Sequence, residues 1–321
     1  MFPFNTHIRM LADHIRVEAY RRAIFQAVRK GDRVVDIGTG TGILAFFALQ
    51  AGARKVYAIE TGPIIEVAKK TARDNGFIDR INFIQQDSIK TEIPERVEVL
   101  VTETCGCLGI DEGLPDTLRD ARKRFLKKEG HIIPTELRLL ALPVCLPTHH
   151  PFQFLEENFY GIQTRHIKEV AVNNVYGLNP ASLGNPLWLC GDQEIFKVDF
   201  HTCEPLKWPL NMKTCFQITK KGDFHGMLVF PEITLAKGVC LSLTRGRRFL
   251  STHWEIPFFP VAPKKQLVPG DRLDFHLTLT QKNGFVWQGV IEQNGRKEVF
   301  TQLSAFGLPS LKPLVQKEGA D

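Results

Sequence analysis

The sequence predicts an α/β half with a Rossmann-like parallel sheet, followed by an all-β half. Three observations support this prediction. Short apolar strands and amphipathic helices alternate over the first 134 residues, which is typical of a doubly wound parallel sheet. A glycine-rich turn lies between the first strand and the next helix. After Pro134, short alternating runs are separated by turn residues, which indicates antiparallel hairpins.

The spacing of apolar residues predicts the elements of the first half in order. Ile8, Leu11 and Ile15 recur at helical spacing and predict one helix over residues 8–29. Strands are predicted at 33–37, 55–60, 81–84, 97–102 and 130–133, with helices from the glycine turn through 51, at 63–75 and at 114–125. Pro134 stops the last strand, so we predict a first domain at 1–134.

Residues 135–321 are predicted to form an antiparallel β-barrel or sandwich. Its predicted strands are 139–144, 195–200, 214–219, 226–230, 239–243, 273–279, 285–291 and 297–303. The segment at about 156–190 is rich in aromatic and apolar residues and is too apolar for a disordered linker. We expect it to be an inserted arm that docks on a second copy of the chain.

Composition argues against several classes of protein. The formal net charge is +6, without a block of five or six like charges, so we expect no nucleic-acid partner. No apolar run approaches the roughly 18 residues of a membrane span, so we expect no membrane association. Seven cysteines in no repeated spacing, and no secretory signal, indicate reduced thiols in the cytoplasm. We also expect no metal site.

The glycine-rich turn VVDIGTGTG is a candidate cofactor site. Gly38, Gly40 and Gly42 lie between a strand and a helix N-terminus, where a ligand can approach the backbone and meet free N–H groups. A dinucleotide is the alternative ligand. The spacing G-x-G-x-G differs from the pyrophosphate motif G-x-G-x-x-G, which argues against a dinucleotide.

Acidic residues at the ends of three predicted strands favour S-adenosylmethionine as the cofactor. Asp36 precedes the glycine turn, and Glu60 ends the second strand, where an acid can hydrogen-bond a ribose diol. Asp87, followed by Ser88, ends the third strand and is expected to receive the adenine amino group.

The stretch LVTETCGCLGIDE, residues 100–112, places Glu103 and Glu112 in a loop after an apolar strand. Two carboxylates in one cleft repel each other, and one takes up a proton unless a cation lies between them. A guanidinium is a suitable cation because it is planar, permanently charged and gripped bidentately. An acidic surface loop is the alternative, and the loop by itself leaves both interpretations open.

Over essentially its whole length the chain resembles the protein arginine methyltransferases. The resemblance rests on HIRMLADHIR, on VVDIGTGTGIL followed by AGARKVYAIE, on the spacing of Glu103 and Glu112, and on Thr252-His253-Trp254. Pro134 matches the proline between that family's two domains, and the segment at 156–190 matches its dimerisation arm. The resemblance therefore implies a homodimer.

The resemblance also implies roles for residues outside the glycine turn. The N-terminal segment is expected to close over the cofactor through His7, Met10 and Arg16, and Arg16 is expected to pair with the cofactor's carboxylate. Glu103 and Glu112 are expected to grip the substrate guanidinium.

His253, hydrogen-bonded to Asp13, is expected to serve the reaction as a proton outlet, or to orient its own loop. Trp254 is expected to pack between the domains beside the substrate. No catalytic role is expected for its indole ring.

The loop departs from the family pattern. Thr104, Cys105, Cys107 and Asp111 replace larger, aromatic or methionine residues, which leaves the number and geometry of added methyl groups open. We expect methylation of arginine in proteins. The alternatives are methylation of free L-arginine or another small guanidino compound, and a catalytically inactive partner subunit.

Overall fold

The computed structural model describes residues 4–147, 160–180, 183, 186–245, 248–250, 252–281 and 284–304. Helices and strands alternate as far as Ile133, and strands dominate after it. The α-helices of the described part are α1 (Phe4–Ala12), α2 (His14–Ala27), α3 (Ile43–Gln50), α4 (Ile65–Asp74), α5 (Leu114–Arg124) and α6 (Arg165–Ala171). Not one helix in these ranges is long and apolar enough to cross a bilayer.

The first half contains a five-stranded parallel sheet, as predicted. Its strands are β1 (Arg33–Ile37), β2 (Lys55–Glu60), β3 (Ile81–Gln85), β4 (Val97–Thr102) and β5 (Leu126–Ile133). They pair in the order β3-β2-β1-β4-β5, and all neighbours are parallel. Strands β2 and β3 therefore lie on one side of β1, and β4 and β5 lie on the other side, so the strand order switches sides between β1 and β4. Ligands of such sheets bind at the carboxyl ends of the strands at this switch point.

The single helix predicted over residues 8–29 is wrong, because the chain breaks at Asp13 into α1 and α2. Asp13 caps α2, and its carboxylate accepts a hydrogen bond from Arg16 N at 3.0 Å. An aspartate at this position competes with helix continuation by satisfying free N–H groups. Apolar periodicity runs through the break, which explains why it predicted one helix.

The second half is antiparallel, as predicted. One sheet holds β6 (Glu136–Cys145), β7 (Tyr176–Leu178), β8 (Leu187–Trp188), β9 (Gln193–Asp199), β11 (Gly222–Ala236), β12 (Val239–Ser242) and β15 (Ile256–Leu267). A second holds β10 (Leu210–Gln217), β16 (Arg272–Leu279), β17 (Phe285–Gln293) and β18 (Arg296–Leu303), and β13 (Thr244–Arg245) pairs with β14 (Arg248–Phe249). The buried Trp287 of the second sheet donates to Pro260 O of the first at 2.6 Å, which joins the two sheets.

The sequence does not predict strand β15, although it is one of the longest strands. It contains Pro257, Pro260 and Pro263, and proline inside a run argues against a strand because it cannot donate to the ladder. Between these prolines the chain carries Phe258 and Phe259, both fully buried. Burial of these aromatic side chains outweighs the lost backbone donors.

The predicted arm at about 156–190 is only partly described, since residues 156–159, 181–182 and 184–185 lie outside the described ranges. Its described part contains α6, β7 and β8, and β8 pairs with β6. Strand β7 pairs with the start of β15, and Asn173 Oδ1 accepts a hydrogen bond from Leu303 N at 3.0 Å. The C-terminal part of the arm is therefore attached to the antiparallel half.

Candidate active site

A cavity of about 900 Å³ lies where β1, β2 and β4 end, between α1 and the segment that precedes β15. Ten of the predicted site residues line it: His7, Met10, Arg16, Gly38, Gly40, Glu60, Glu103, Glu112, His253 and Trp254. The fold thus brings the N-terminal segment, the glycine turn, the two-glutamate loop and the Thr-His-Trp segment to one place.

The glycine turn forms one wall of the cavity. Gly38 has φ of 71°, and a Cβ there would lie 2.7 Å from Thr104 Cγ2. Gly40 has φ of 54°, and a Cβ there would lie 3.5 Å from His7 Nδ1. Glycine suits both positions because their backbone is left-handed, and at Gly38 the Thr104 side chain also leaves no room for a Cβ. The turn is thereby packed between α1 and the two-glutamate loop.

Glu60 is fixed by the backbone beside the cavity. Its carboxylate accepts hydrogen bonds from Gly40 N at 3.0 Å and from Gly62 N at 2.7 Å. Partial burial lowers the pKa of the neighbouring His7, and attraction to Glu60 offsets part of this decrease. An oriented carboxylate in this position suits a ligand that donates hydrogen bonds.

Asp36 supports the turn from below and does not line the cavity. Its carboxylate is fully buried and accepts a hydrogen bond from Thr39 Oγ1 at 2.5 Å. Its other oxygen has no hydrogen-bond partner among the described residues. Burial raises the pKa of Asp36 to about 7. We infer that Asp36 shapes the turn through Thr39.

Glu103 forms a buried ion pair with Arg16. Arg16 Nη2 donates to Glu103 Oε2 at 2.7 Å, and each side chain is only 6% exposed. Arg16 Nη1 donates to Met10 O at 3.0 Å, whereas Arg16 Nε is buried without a described partner. One guanidinium therefore already contacts the first glutamate, and it retains a free donor for an anion.

Glu112 lies at the opposite end of the loop and is exposed. Desolvation in the cavity, followed by repulsion from Asp111 and Glu103, raises its pKa to about 7. Because Glu112 is exposed, desolvation penalises its charged form less than full burial would, and repulsion from Asp111 and Glu103 accounts for the rest of the increase in pKa. Among the described residues, no ion pair neutralises Glu112.

Asp111 shapes the loop between the two glutamates. Its Oδ1 accepts a hydrogen bond from Leu108 N at 3.0 Å, and a Cβ at Gly106 would lie 2.3 Å from the same oxygen. The turn thus closes around the Asp111 carboxylate, and this burial raises the pKa of Asp111.

The Thr-His-Trp segment is attached to both the N-terminal helices and the two-glutamate loop. His253 Nδ1 lies 2.8 Å from Asp13 Oδ2, and His253 N donates to the same oxygen at 3.0 Å. Burial alone would raise the pKa of Asp13, but its hydrogen bonds from His253 and Arg16 outweigh burial and lower it. Trp254 Nε1 donates to Cys105 O at 3.1 Å. Trp254 therefore ties the Thr-His-Trp segment to the two-glutamate loop through its hydrogen bond to Cys105 O.

Three further predicted residues, besides Asp13 and Asp36, do not line the cavity. Gly42 precedes α3, and a Cβ there would lie 2.7 Å from the Phe46 ring. Asp87 accepts a hydrogen bond from Ile89 N at 3.0 Å. Ser88 O accepts one from Arg124. A cofactor role for Asp87 and Ser88 stays a prediction.

Sequence reasoning assigned no role in the site to two acidic residues that line the cavity, Asp111 and Glu255. Asp111 directly precedes Glu112, and Glu255 directly follows Trp254. Adjacency to predicted site residues was the available signal. It is weak, because neighbours in a chain often point in different directions.

Comparison with known proteins identifies relatives of this chain. A family model described as ribosomal protein L11 methyltransferase matches residues 18–133. Protein arginine N-methyltransferase 1 of Chlamydomonas reinhardtii is 30% identical over 264 residues, covering 80% of this chain and 75% of that protein. Protein arginine N-methyltransferase PRMT10 of Oryza sativa subsp. japonica is 39% identical over 137 residues, covering 42% of this chain and 36% of the relative.

Two solved structures share the fold over nearly the whole chain. The Trypanosoma brucei PRMT1 enzyme-prozyme heterotetrameric complex with AdoHcy has a TM-score of 0.79 at 20% identity, covering 94% of this chain and 98% of that one. Arabidopsis thaliana protein arginine methyltransferase 10 has a TM-score of 0.77, also at 20% identity and with the same coverage. Because the Chlamydomonas relative aligns over most of both chains, this chain belongs to the protein arginine N-methyltransferase family.

Proposed function

We propose that this protein transfers a methyl group from S-adenosylmethionine to a guanidino nitrogen of arginine residues in proteins. The observation that carries the proposal is one cavity lined both by the glycine turn with Glu60 and by Glu103 and Glu112. The first set suits a nucleoside cofactor and the second suits a guanidinium. A shared cavity brings both reactants together.

The residues of the cavity fit S-adenosylmethionine. Gly40 leaves the backbone open to a ligand, and Glu60 presents a fixed carboxylate beside it. The buried Nε of Arg16 lacks a described partner, and a cofactor carboxylate would satisfy it. When bound, the cofactor supplies an electrophilic methyl group on a positively charged sulfur.

The chain's main contribution to catalysis is to position the guanidinium. Arginine is a poor nucleophile because its nitrogen lone pairs are delocalised and its pKa exceeds about 12. Glu103 Oε2 binds Arg16, and Glu103 Oε1 accepts no hydrogen bond from the described residues. That oxygen and the Glu112 carboxylate would hold two faces of the substrate. Fixed orientation can lower a barrier by about 7–11 kcal/mol.

The guanidinium must lose one proton as its nitrogen gains a methyl group. We propose that His253 accepts this proton, because its ring lies in the cavity lining and 2.8 Å from Asp13. The Asp13 carboxylate would stabilise the protonated imidazole. General-base catalysis of this kind contributes about 10²–10⁴-fold, less than positioning does.

A substrate panel tests the proposal. The protein is incubated with isotope-labelled S-adenosylmethionine, an arginine-rich peptide and free L-arginine, and mass spectrometry shows which compound gains label. We expect label on arginine side chains of the peptide. Label on free arginine alone would support the small-guanidino alternative, and label on neither would contradict the assigned activity.

Matched variants locate the activity in the cavity. Glu103→Gln should abolish labelling, whereas Glu129→Gln makes the same change in charge at an exposed site in β5 and should retain it. Calorimetric titration with S-adenosylmethionine would separate loss of cofactor binding from loss of transfer.

We further propose two domains, with residues 1–134 binding the cofactor and residues 135–321 forming the second domain. We also propose that two copies of the chain associate through the arm at 156–190. In the described part of the arm, Tyr160, Ile162 and Ile167 expose 88%, 61% and 57% of their surfaces. Exposed apolar side chains in one segment are typical of interaction surfaces. Replacing the exposed Ile162 and Ile167 with aspartate keeps β7 and β8 in the sheet. This variant should sediment as a monomer, and an unchanged profile would contradict a dimer through this arm.

The cytoplasm is the compartment that we propose. The support is that seven cysteines, an odd number, occur without paired spacing, which favours a reducing environment. Fractionation of cells expressing the tagged protein would test this location.

A further inference from the structure

Resting on the proposed function, we propose that Glu255 makes the enzyme prefer arginine residues that have a second basic residue nearby in the substrate. Glu255 would contact that second cation while Glu103 and Glu112 hold the target guanidinium. Glu255 is thus a specificity-determining residue at the cavity.

The position of Glu255 is fixed on both sides by buried neighbours. Trp254 is 4% exposed and donates to Cys105 O at 3.1 Å, and Ile256 is fully buried at the start of β15. Glu255 itself is exposed and lines the cavity. Its carboxylate lies at the rim of the cavity against Gly177 of β7, where a Cβ would come within 2.1 Å of Glu255 Oε2.

Asp111, Glu112 and Glu255 line the same cavity as Cys107. Desolvation, with the negative charges of Asp111, Glu255 and Glu112, raises the pKa of the Cys107 thiol to about 11. All three acids therefore lie near one side chain. Asp111 is committed to the backbone of its loop through Leu108 N. Glu255 remains as the exposed acid outside the glutamate pair.

The cations in the cavity lining do not neutralise this group. Arg16 is paired with Glu103. Arg9 donates to His253 O at 3.2 Å, and no ion pair between Arg9 and the three carboxylates occurs among the described residues. Arg16 and one substrate guanidinium together balance the charges of Glu103 and Glu112, so the exposed carboxylate of Glu255 remains for a second cation.

The substrate that fits this charge is an extended peptide with two basic side chains. Residues two apart in an extended chain point to the same side and lie about 7 Å apart. A target arginine in the clamp would thus place a basic side chain two positions away near the rim. The chain as a whole carries +6, so attraction of basic peptides must come from local acids such as Glu255 and not from the overall charge.

Two peptides with a single arginine test the proposal. One has lysine two positions after the arginine, and the other has the neutral norleucine there. At about 50 mM NaCl we expect kcat/KM to be about fivefold higher for the lysine peptide, as partly exposed ion pairs allow. Glu255→Gln should reduce the ratio to about 1 to 2, and the matched variant Glu129→Gln should leave it at the wild-type value.

Charge reversal and salt give independent readouts. Glu255→Lys should bring the ratio below 1, and about 500 mM NaCl should bring the wild-type ratio close to 1. A wild-type ratio of 1 at low salt, or an unchanged ratio in both Glu255 variants, would overturn the role of Glu255. Failure of the wild-type enzyme to methylate either peptide would overturn the proposed function instead.

Discussion

The two ends of the two-glutamate loop hold the same type of residue in opposite environments. Glu103 directly follows the buried strand β4 and forms a buried ion pair with Arg16. Glu112 is exposed, faces Asp111 and Glu103, and has a pKa raised to about 7. One glutamate is therefore paired with a cation of the protein itself, and the other changes charge near neutral pH. The surroundings, and not the residue type, decide what each can do.

The largest expected effect is the loss of kcat when the charge of each glutamate is removed in turn. Glu103→Gln should lower kcat at least about 1000-fold, because it removes a substrate contact and disturbs Arg16 at the same time. Glu112→Gln should lower kcat about 100-fold, since only the exposed contact is lost. Labelled methyl transfer to an arginine-rich peptide measures both, and calorimetry should show nearly unchanged cofactor affinity for Glu112→Gln. Equal activities in the two variants would contradict the asymmetry.

The next effect concerns stability. Arg16→Gln leaves the Glu103 carboxylate buried without its cation, and such a change costs about 3–5 kcal/mol. Urea denaturation should show this as a lower midpoint. Adding Glu103→Gln to the same chain should restore part of the loss, because it removes the unpaired charge. Failure of the double variant to recover would contradict a direct interaction.

An exposed ion pair serves as the matched control for that experiment. Arg21 and Glu18 lie 3.6 Å apart, with 44% and 57% of their side chains exposed. Arg21→Gln should change the free energy of unfolding by less than about 1 kcal/mol. The contrast between Arg16 and Arg21 would assign the cost to burial.

Local sequence patterns predict the elements that surround the site but not which side chains in it form ion pairs and hydrogen bonds with each other. The parallel sheet, the glycine turn and both glutamates were predictable because strand spacing and motifs lie within a few residues. The pair Arg16–Glu103 joins residues 87 positions apart, and Asp13–His253 spans 240 positions. The family resemblance implies the contact between Asp13 and His253. No sequence motif predicts the contact between Arg16 and Glu103. Such contacts depend on how helices pack on strand ends, which periodicity does not encode.

Errors of prediction also have local physical reasons. Asp13 ends one helix and caps the next through its side chain, although the apolar periodicity continues across it. In β15 three prolines argued against a strand, but burial of Phe258 and Phe259 maintains it. In both cases one side-chain interaction outweighed the average tendency of the segment.

The smallest expected effect is a pH dependence that depends on Glu112. Below pH about 7 Glu112 is protonated, since its pKa is raised to about 7, and a neutral carboxyl cannot pair with a guanidinium. Acid should therefore lower kcat/KM by up to about tenfold per pH unit below about 7, by no more than the roughly 100-fold expected for losing the Glu112 charge, with a plateau above pH 7. Glu112→Gln should remove the part of the acid limb that is centred near pH 7 and should also lower the plateau.

Asp111→Asn sharpens the same measurement. Asparagine keeps an oxygen that accepts the hydrogen bond from Leu108 N but removes the negative charge that repels ionised Glu112. The midpoint of the acid limb should move about half a pH unit lower or more, because the charged form of Glu112 becomes easier to form. Asp36 also has a pKa raised to about 7, by burial, but no loop carboxylate contributes to that increase. An unmoved limb in Asp111→Asn would therefore assign the titration to another group, and Glu112 would lose its distinction from Glu103.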